Sequence, residues 1–471
     1  MTHKENSKNT ENQQEIKWQW APDKKSFGVK ANHDNPIAIE GLGGSIDING
    51  KTCSLQDAQN ITPQENRSTD GHPEHQMQYA LQETHCLWNW EIKPANGGLE
   101  ITATLHNTGN IPLTIEHWNV LDLSKSAGGN FQVSKVPDQV RFFRWHSWNM
   151  RVELLACEEG VHTSENLCHM FDPISGQTFF SAFFTMDTMR CHHKVSYSKT
   201  NGIQEYKATC DFGKYELAPG QKLTSEKIYL AFYTNPYKAL EAWADKILAI
   251  KKPKFVELPP VGLICQAWTD TYNDREGVYT EVHLENARAA RKKLHGFELR
   301  YLRPGGCVAP LKGHVPGNWT KPNDHALPKG WKHFSKEVQA LGFELGLWVS
   351  PFWFCGEADG LLEENHENLL RDADGKPICT PLNWAGDLGD ITPLSQLTKY
   401  YLDATHPKTL EYIQNIFAYY REIGVRFYML DFLGVPENSR LRDSTQTPLQ
   451  AAGNILKAIR EVAGDDTHLQ T

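Results

Sequence analysis

From Val256 to Thr471, short apolar runs alternate with amphipathic helical stretches, and no other feature limits the fold as much. The runs are Val261 to Cys265, Phe297 to Leu302, Phe343 to Val349 and Val425 to Phe432. Between them, Thr280 can cap a helix to Leu294, and Phe334, Val338 and Leu341 mark a helix stopped by Gly342. Pro407 opens a helix with the stripe Leu410, Ile413, Phe417 and Tyr420, which Gly424 stops. Thr447-Pro448-Leu449-Gln450 has the capping-box form, and Gly464 closes its helix before an extended start at Thr467. Strands that alternate with helices and are apolar along their whole length predict a parallel sheet covered on both faces. A closed (β/α)8 barrel takes about 250 residues. Residues 256–471 hold four complete units and the start of a fifth strand, so the reading is the first half of a (β/α)8 TIM barrel. A finished open sheet of four strands is the alternative, and a chain that stops inside a strand pattern argues against it.

Upstream the grammar differs. From about Trp18 to Tyr233, β-rich runs are separated by turn chemistry: Leu99 to Leu105 after Asn96-Gly97-Gly98, Leu113 to Trp118 after Gly109-Asn110, Thr178 to Thr185, and Lys227 to Tyr233 after Pro219-Gly220. That spacing predicts an N-terminal antiparallel supersandwich over 18–235, a β-sandwich followed by an α/β domain. Residues 1–17 read as a disordered polar tail, and Leu240, Trp243, Ala244, Ile247 and Leu248 mark a linker helix within 236–255.

A net charge of -9 provides no basic face for a nucleic acid, and no apolar run is long enough to span a bilayer. The polar start lacks a secretory core, so the expectation is a cytoplasmic protein with no nucleic-acid or membrane partner. The 10 cysteines, without any C-x-x-C pair, read as reduced thiols. The 14 tryptophans exceed what a core needs, and stacking on sugar rings is one use for the surplus.

Reactive groups in such barrels sit at the C-terminal ends of strands. That rule selects Arg303 and Cys307 after the second strand, Trp348, Ser350 and Trp353 after the third, and Asp431 after the fourth. Asp431 ends the apolar run Phe427-Tyr428-Met429-Leu430, where a carboxylate costs free energy unless it is paired, hydrogen-bonded or used. Bonding to backbone amides or to Arg440 is the structural alternative. Trp268, Arg303, Trp319, Trp348 and Trp353 are the candidate substrate-binding residues, with Asp431 catalytic.

The segments Gly342 to Pro351, Leu370 to Pro377, Tyr401 to Pro407 and Phe427 to Asp431 fall in the order and spacing of the melibiase-type alpha-galactosidase family, which the chain resembles. Leu217-Ala-Pro-Gly220 and Pro259-Pro-Val-Gly262 extend the resemblance upstream. It implies retaining hydrolysis of O-glycosidic bonds in oligosaccharides, with Asp431 as the nucleophile and an Asp acid/base after a sixth strand, beyond Thr471. The chain by itself is then expected to be inactive. Three departures bear on specificity. Arg303-Pro304 stands where the family has two aspartates, Met429 where it has a Lys, and Asn318 where it has the Asp of Gly-Asp-Trp. Plain alpha-galactosides are therefore expected to be poor substrates. A catalytically inactive carbohydrate-binding or scaffold protein on the same fold is the alternative, and a transglycosylase is a variant of the first reading. No cofactor and no metal are expected, and homo-oligomerisation stays open. His72, His75, His192 and His193 lack the partners of a metal site, Cys307 and Cys355 lack a positioned base, and Asp387, Asp390 and Asp403 read as loop carboxylates.

Overall fold

The computed structural model describes residues 13–14, 16–21, 24–31, 37–67, 73–95, 97–146, 151–156, 158–252, 261–265, 279–304, 317, 319–321, 327–357, 360–381, 398–436 and 439–471. They form two compact units, Met1–Lys254 and Phe255–Thr471.

Two large antiparallel sheets make the first unit, one of eleven strands and one of nine among the described residues. Alternation decides which side chains face inward. Along Cys86–Ala95 buried and half-buried residues alternate, which sends Cys86, Trp88, Trp90 and Ile92 to one face. The Asn-Gly signal before Gly98 joins this strand to Gly98–Asn107 in the register Ala95↔Gly98, with Gly97 at φ +75°. That left-handed conformation costs glycine nothing. The sheets meet through aromatic rings: Trp88 of one packs edge-on against Trp118 of the other at 5.2 Å, and Trp90 against Phe27 at 5.4 Å. Much of the tryptophan surplus is thus core. Strand structure also reaches into the segment expected to be tail. Gln13–Gln14 pairs with Phe232 and Tyr233, and the Gln14 amide donates to Gln177 Oε1 at 2.7 Å. Amide hydrogen bonds, which leave no periodic trace in a sequence, replace apolar burial there.

The helix Pro236–Lys251, read as a linker, packs on this unit. Asn235 caps it, Ala239 is buried with Tyr229 and Ala231, and the Trp243 indole donates to the Phe183 carbonyl at 3.1 Å.

In the second unit five parallel strands lie side by side in chain order: Val261–Cys265, Leu299–Pro304, Glu344–Val349, Val425–Leu430 and His468–Gln470. An unreversed order is that of a barrel wall, because a doubly wound sheet reverses at a switch point. The helices Tyr279–Lys293, Gly330–Ala340, Pro407–Glu422 and Pro448–Ala463 follow the first four strands. The last is held by the reciprocal Thr447–Gln450 capping box and ends at Gly464, φ +82°. Two expectations shift in detail. Phe297 stays exposed and the second strand starts at Leu299, while the helix after Pro407 buries Ile416 and leaves Leu410 at the surface. A 3.6-residue period predicts a face to within one neighbouring position, and the packing of Phe417 on Tyr428 at 4.8 Å selects between them.

Candidate active site

The third and fourth strands are paired with Val349 opposite Leu430, and the Asp431 N–H donates to the Val349 carbonyl at 3.1 Å. Asp431 is therefore held where the apolar ladder stops, at the C-terminal end of the sheet. Its carboxylate receives two N–H donors. The Trp348 indole Nε1 donates to Oδ2 at 2.9 Å, and the Phe432 backbone N–H donates to Oδ1 at 2.8 Å. Two donors on different oxygens fix the plane of the carboxylate and leave its remaining lone pairs for other partners. Of the structural alternatives, the backbone-amide bond is present in the Phe432 N–H, while the backbone N–H of Arg440 donates to the Arg371 carbonyl at 2.8 Å.

Phe432 adopts φ +52°, the left-handed region, where a bulky side chain costs roughly 1–2 kcal/mol. That turn presents its ring edge-on to Trp348 at 6.2 Å and to Trp353 at 6.0 Å. Trp319 joins the same cluster, 5.8 Å from Trp348 and 6.3 Å from Trp353. Its loop is anchored by the helix Pro407–Glu422: Tyr412 donates to the Gly317 carbonyl at 2.9 Å and Tyr420 to the Trp319 carbonyl. Gly317, at φ +115°, lies against Phe354 so closely that a Cβ there would come within 2.3 Å of the Phe354 Cβ.

Three of the tryptophans selected from the sequence thus form one cluster with Phe432, and Trp348 joins that cluster to the carboxylate. Trp348 is 8% exposed, Trp319 2% and Trp353 0%, so these rings act as a wall with little open face. Arg303 is the next-to-last residue of the second strand, buried at 6%, one strand removed from Val425–Leu430. Trp268, Cys307, Asn318, Asp387 and Asp390 lie outside the described residues. Asp403 is a loop brace: Oδ1 accepts from the Thr405 N–H and Oδ2 from the Arg442 N–H, both under 2.9 Å. Burial pushes the Cys355 thiol up to about 12, which leaves it protonated and unreactive at neutral pH. His192 pairs with Asp211 at 3.0 Å and His193 is buried against Tyr206 at 3.1 Å. A cavity of about 520 Å³ on the same loops, lined by Arg371, Asp403, His406 and Arg442 among others, does not include Asp431.

A small antiparallel sheet of Trp353–Cys355, Cys379–Pro381 and Thr398–Tyr401 escaped the sequence reading, because strands of three or four residues show no measurable alternation. It brings Lys399 and Tyr401 to the cluster: the Lys399 ammonium lies 5.5 Å from the Trp353 ring centre, 5.3 Å from Tyr401 and 5.4 Å from Phe432.

No family profile matches the sequence. An isomalto-dextranase from Arthrobacter globiformis is 29% identical over 143 residues, covering 29% of this chain and 21% of that enzyme. Among solved structures, an alpha-galactosidase from Lactobacillus brevis aligns at TM-score 0.56 and 14% identity, over 90% of this chain and 58% of its own. A family 36 alpha-galactosidase from Geobacillus stearothermophilus, in complex with raffinose, aligns at TM-score 0.58 and 13% identity, over 89% of this chain and 60% of its own. The chain therefore shares the fold of family 36 alpha-galactosidases over about nine tenths of its length, and spans about three fifths of theirs.

Proposed function

We propose that this chain carries the nucleophile of a retaining alpha-glycosidase, with Asp431 in that role and oligosaccharides or simple alpha-glycosides as substrates. The observation that carries the reading is the placement of Asp431 at the end of the fourth parallel strand, oriented by the Trp348 and Phe432 N–H groups. A carboxylate oxygen attacks the anomeric carbon as the bond to the leaving oxygen breaks, and that oxygen takes a proton from a general acid. Water then attacks the same carbon, the ester bond to Asp431 breaks, and the water proton returns to the group that acted as acid. The enclosing rings of Trp319, Trp348, Trp353 and Phe432 lower the local dielectric, which strengthens attraction between a carboxylate and an oxocarbenium-like carbon.

A fluorinated alpha-glycosyl fluoride tests this directly, because fluoride departs without protonation and the labelling step needs only the nucleophile. Incubation of the full chain followed by peptide mass spectrometry should place the sugar on Asp431, and Asp431→Asn should take no label. In a protein that turns over, the same substitution should cost more than about a thousandfold in kcat, roughly 4 kcal/mol. A label on another carboxylate removes Asp431 from the role. Sugar binding without any label favours the carbohydrate-binding alternative.

A further inference from the structure

The Lys399 ammonium lies against the ring of Phe432, the residue next to Asp431, and the proposed reaction leaves its chemistry unused. On the strand Thr398–Tyr401, Lys399 and Tyr401 are two residues apart and share a face, and Tyr401 is the direct cross-strand partner of Trp353. Tyr400 points the other way and stacks on Phe354 at 6.3 Å. Pairing therefore aims Lys399 across the Trp353 and Tyr401 rings, and the left-handed turn at Phe432 brings a third ring to it from the residue next to Asp431. Among the described residues no carboxylate lies within ion-pair distance of Lys399 and no acceptor within hydrogen-bond distance. Glu357, in the turn after the strand Trp353–Cys355, accepts the Thr398 N–H on both oxygens, at 2.9 and 3.1 Å. Cation–π attraction holds the charge in place, but ring faces accept none of its three N–H donors well.

We propose, resting on the reading of Asp431 as nucleophile, that Lys399 is a substrate-binding residue: its Nζ donates to hydroxyl oxygens of the neutral sugar ring whose anomeric carbon faces Asp431. The rings of Trp353, Tyr401 and Phe432 hold the ammonium at one position, and the hydroxyls that reach that position are the ones selected. A group that must hydrogen-bond a hydroxyl discriminates against sugars lacking it by far more than an apolar wall does.

The test measures binding of methyl alpha-glucoside, methyl alpha-galactoside and methyl alpha-glucuronide to the full chain by tryptophan fluorescence, in wild type and Lys399→Met, with melting temperatures alongside. Methionine keeps most of the aliphatic stem against the rings and removes the donors. Affinity for at least one neutral glycoside should fall tenfold or more, with little change in melting temperature. Acetylation of Lys399, mapped by mass spectrometry, should be slowed by the same glycoside in wild type, and this readout holds even if the variant folds poorly. Unchanged affinity in Lys399→Met and unprotected acetylation overturn the role of Lys399, while labelling of Asp431 by the glycosyl fluoride keeps the nucleophile. A loss confined to the glucuronide overturns the assignment to neutral hydroxyls. If the label falls on another carboxylate while Lys399→Met still loses a neutral glycoside, Lys399 stands as a sugar-binding residue and Asp431 does not. Absence of binding by wild type overturns both.

Discussion

At the scale of single residues, the pair Trp348–Asp431 is the contact on which the proposed chemistry turns. The indole Nε1 donates to one carboxylate oxygen at 2.9 Å, and a hydrogen bond to a charged group is worth roughly 1.5–3 kcal/mol. Trp348→Phe keeps an aromatic ring beside Trp319 and Phe432 and removes the donor alone. We expect kcat for an aryl alpha-glycoside, in the protein that turns over, to fall roughly ten- to a hundredfold with KM changing less, because the carboxylate is no longer held in one plane. Equal changes in KM and kcat, or none, would show that the Phe432 N–H suffices. Asp431 was legible in the sequence because an acid at the end of an apolar strand needs a reason. Its partner was legible only as a nearby tryptophan, since the bond closes across 83 positions.

At the scale of elements, the short glycine contacts show how tightly the parallel strands are seated. Gly346 lies in the third strand beside Phe427 of the fourth, and a Cβ there would meet the Phe427 ring at 2.8 Å. Phe427 cannot turn away freely, since it stacks on His468 of the fifth strand at 5.4 Å and packs against Tyr301 of the second at 5.3 Å. Gly346→Val should destabilise the second unit by roughly 1–3 kcal/mol through overpacking, visible as a lower urea midpoint. A midpoint within error of wild type would mean that the strand pair yields at no cost. The order of elements in this unit was readable from caps and stops, namely Thr447 with Gln450, Gly342, Gly424 and Gly464. These work within one turn of chain and so leave a local mark. The three-stranded sheet that carries Lys399 leaves none, because its strands pair over separations of tens of residues.

At the scale of the whole molecule, each unit has a core built from its own residues, and buried histidines couple both cores to pH. Burial lowers His169 and His193 in the sandwich to about 3, and His283 in the second unit to about 4. His169 sits among Phe143, Phe171 and Phe180 with ring centres 5.4–5.8 Å away. In the unfolded chain these groups titrate near 6.5, so between about pH 6.5 and 3 the unfolded state binds more protons and stability falls as pH falls. The loss is absent above pH 6.5 and reaches about 2 kcal/mol for each of His169 and His193 by pH 5. His169→Phe should therefore flatten the fall in urea midpoint between pH 7 and pH 5. An equal fall in variant and wild type would mean that His169 accepts a proton without unfolding.

The sequence by itself determined the main helices and strands and their order, the change from sandwich to parallel sheet after Pro236, and the position of Asp431 at a strand end, all carried by periodicity and end signals over a few residues. Tertiary structure alone decided which side chains gather beside that carboxylate. Phe432 sits in the left-handed region with its ring against Trp348 and Trp353, and Lys399 arrives from a strand 32 positions upstream of Asp431. Such contacts depend on which distant segments pair, and pairing is set by the closing of the whole sheet, where no local stretch of chain holds the information.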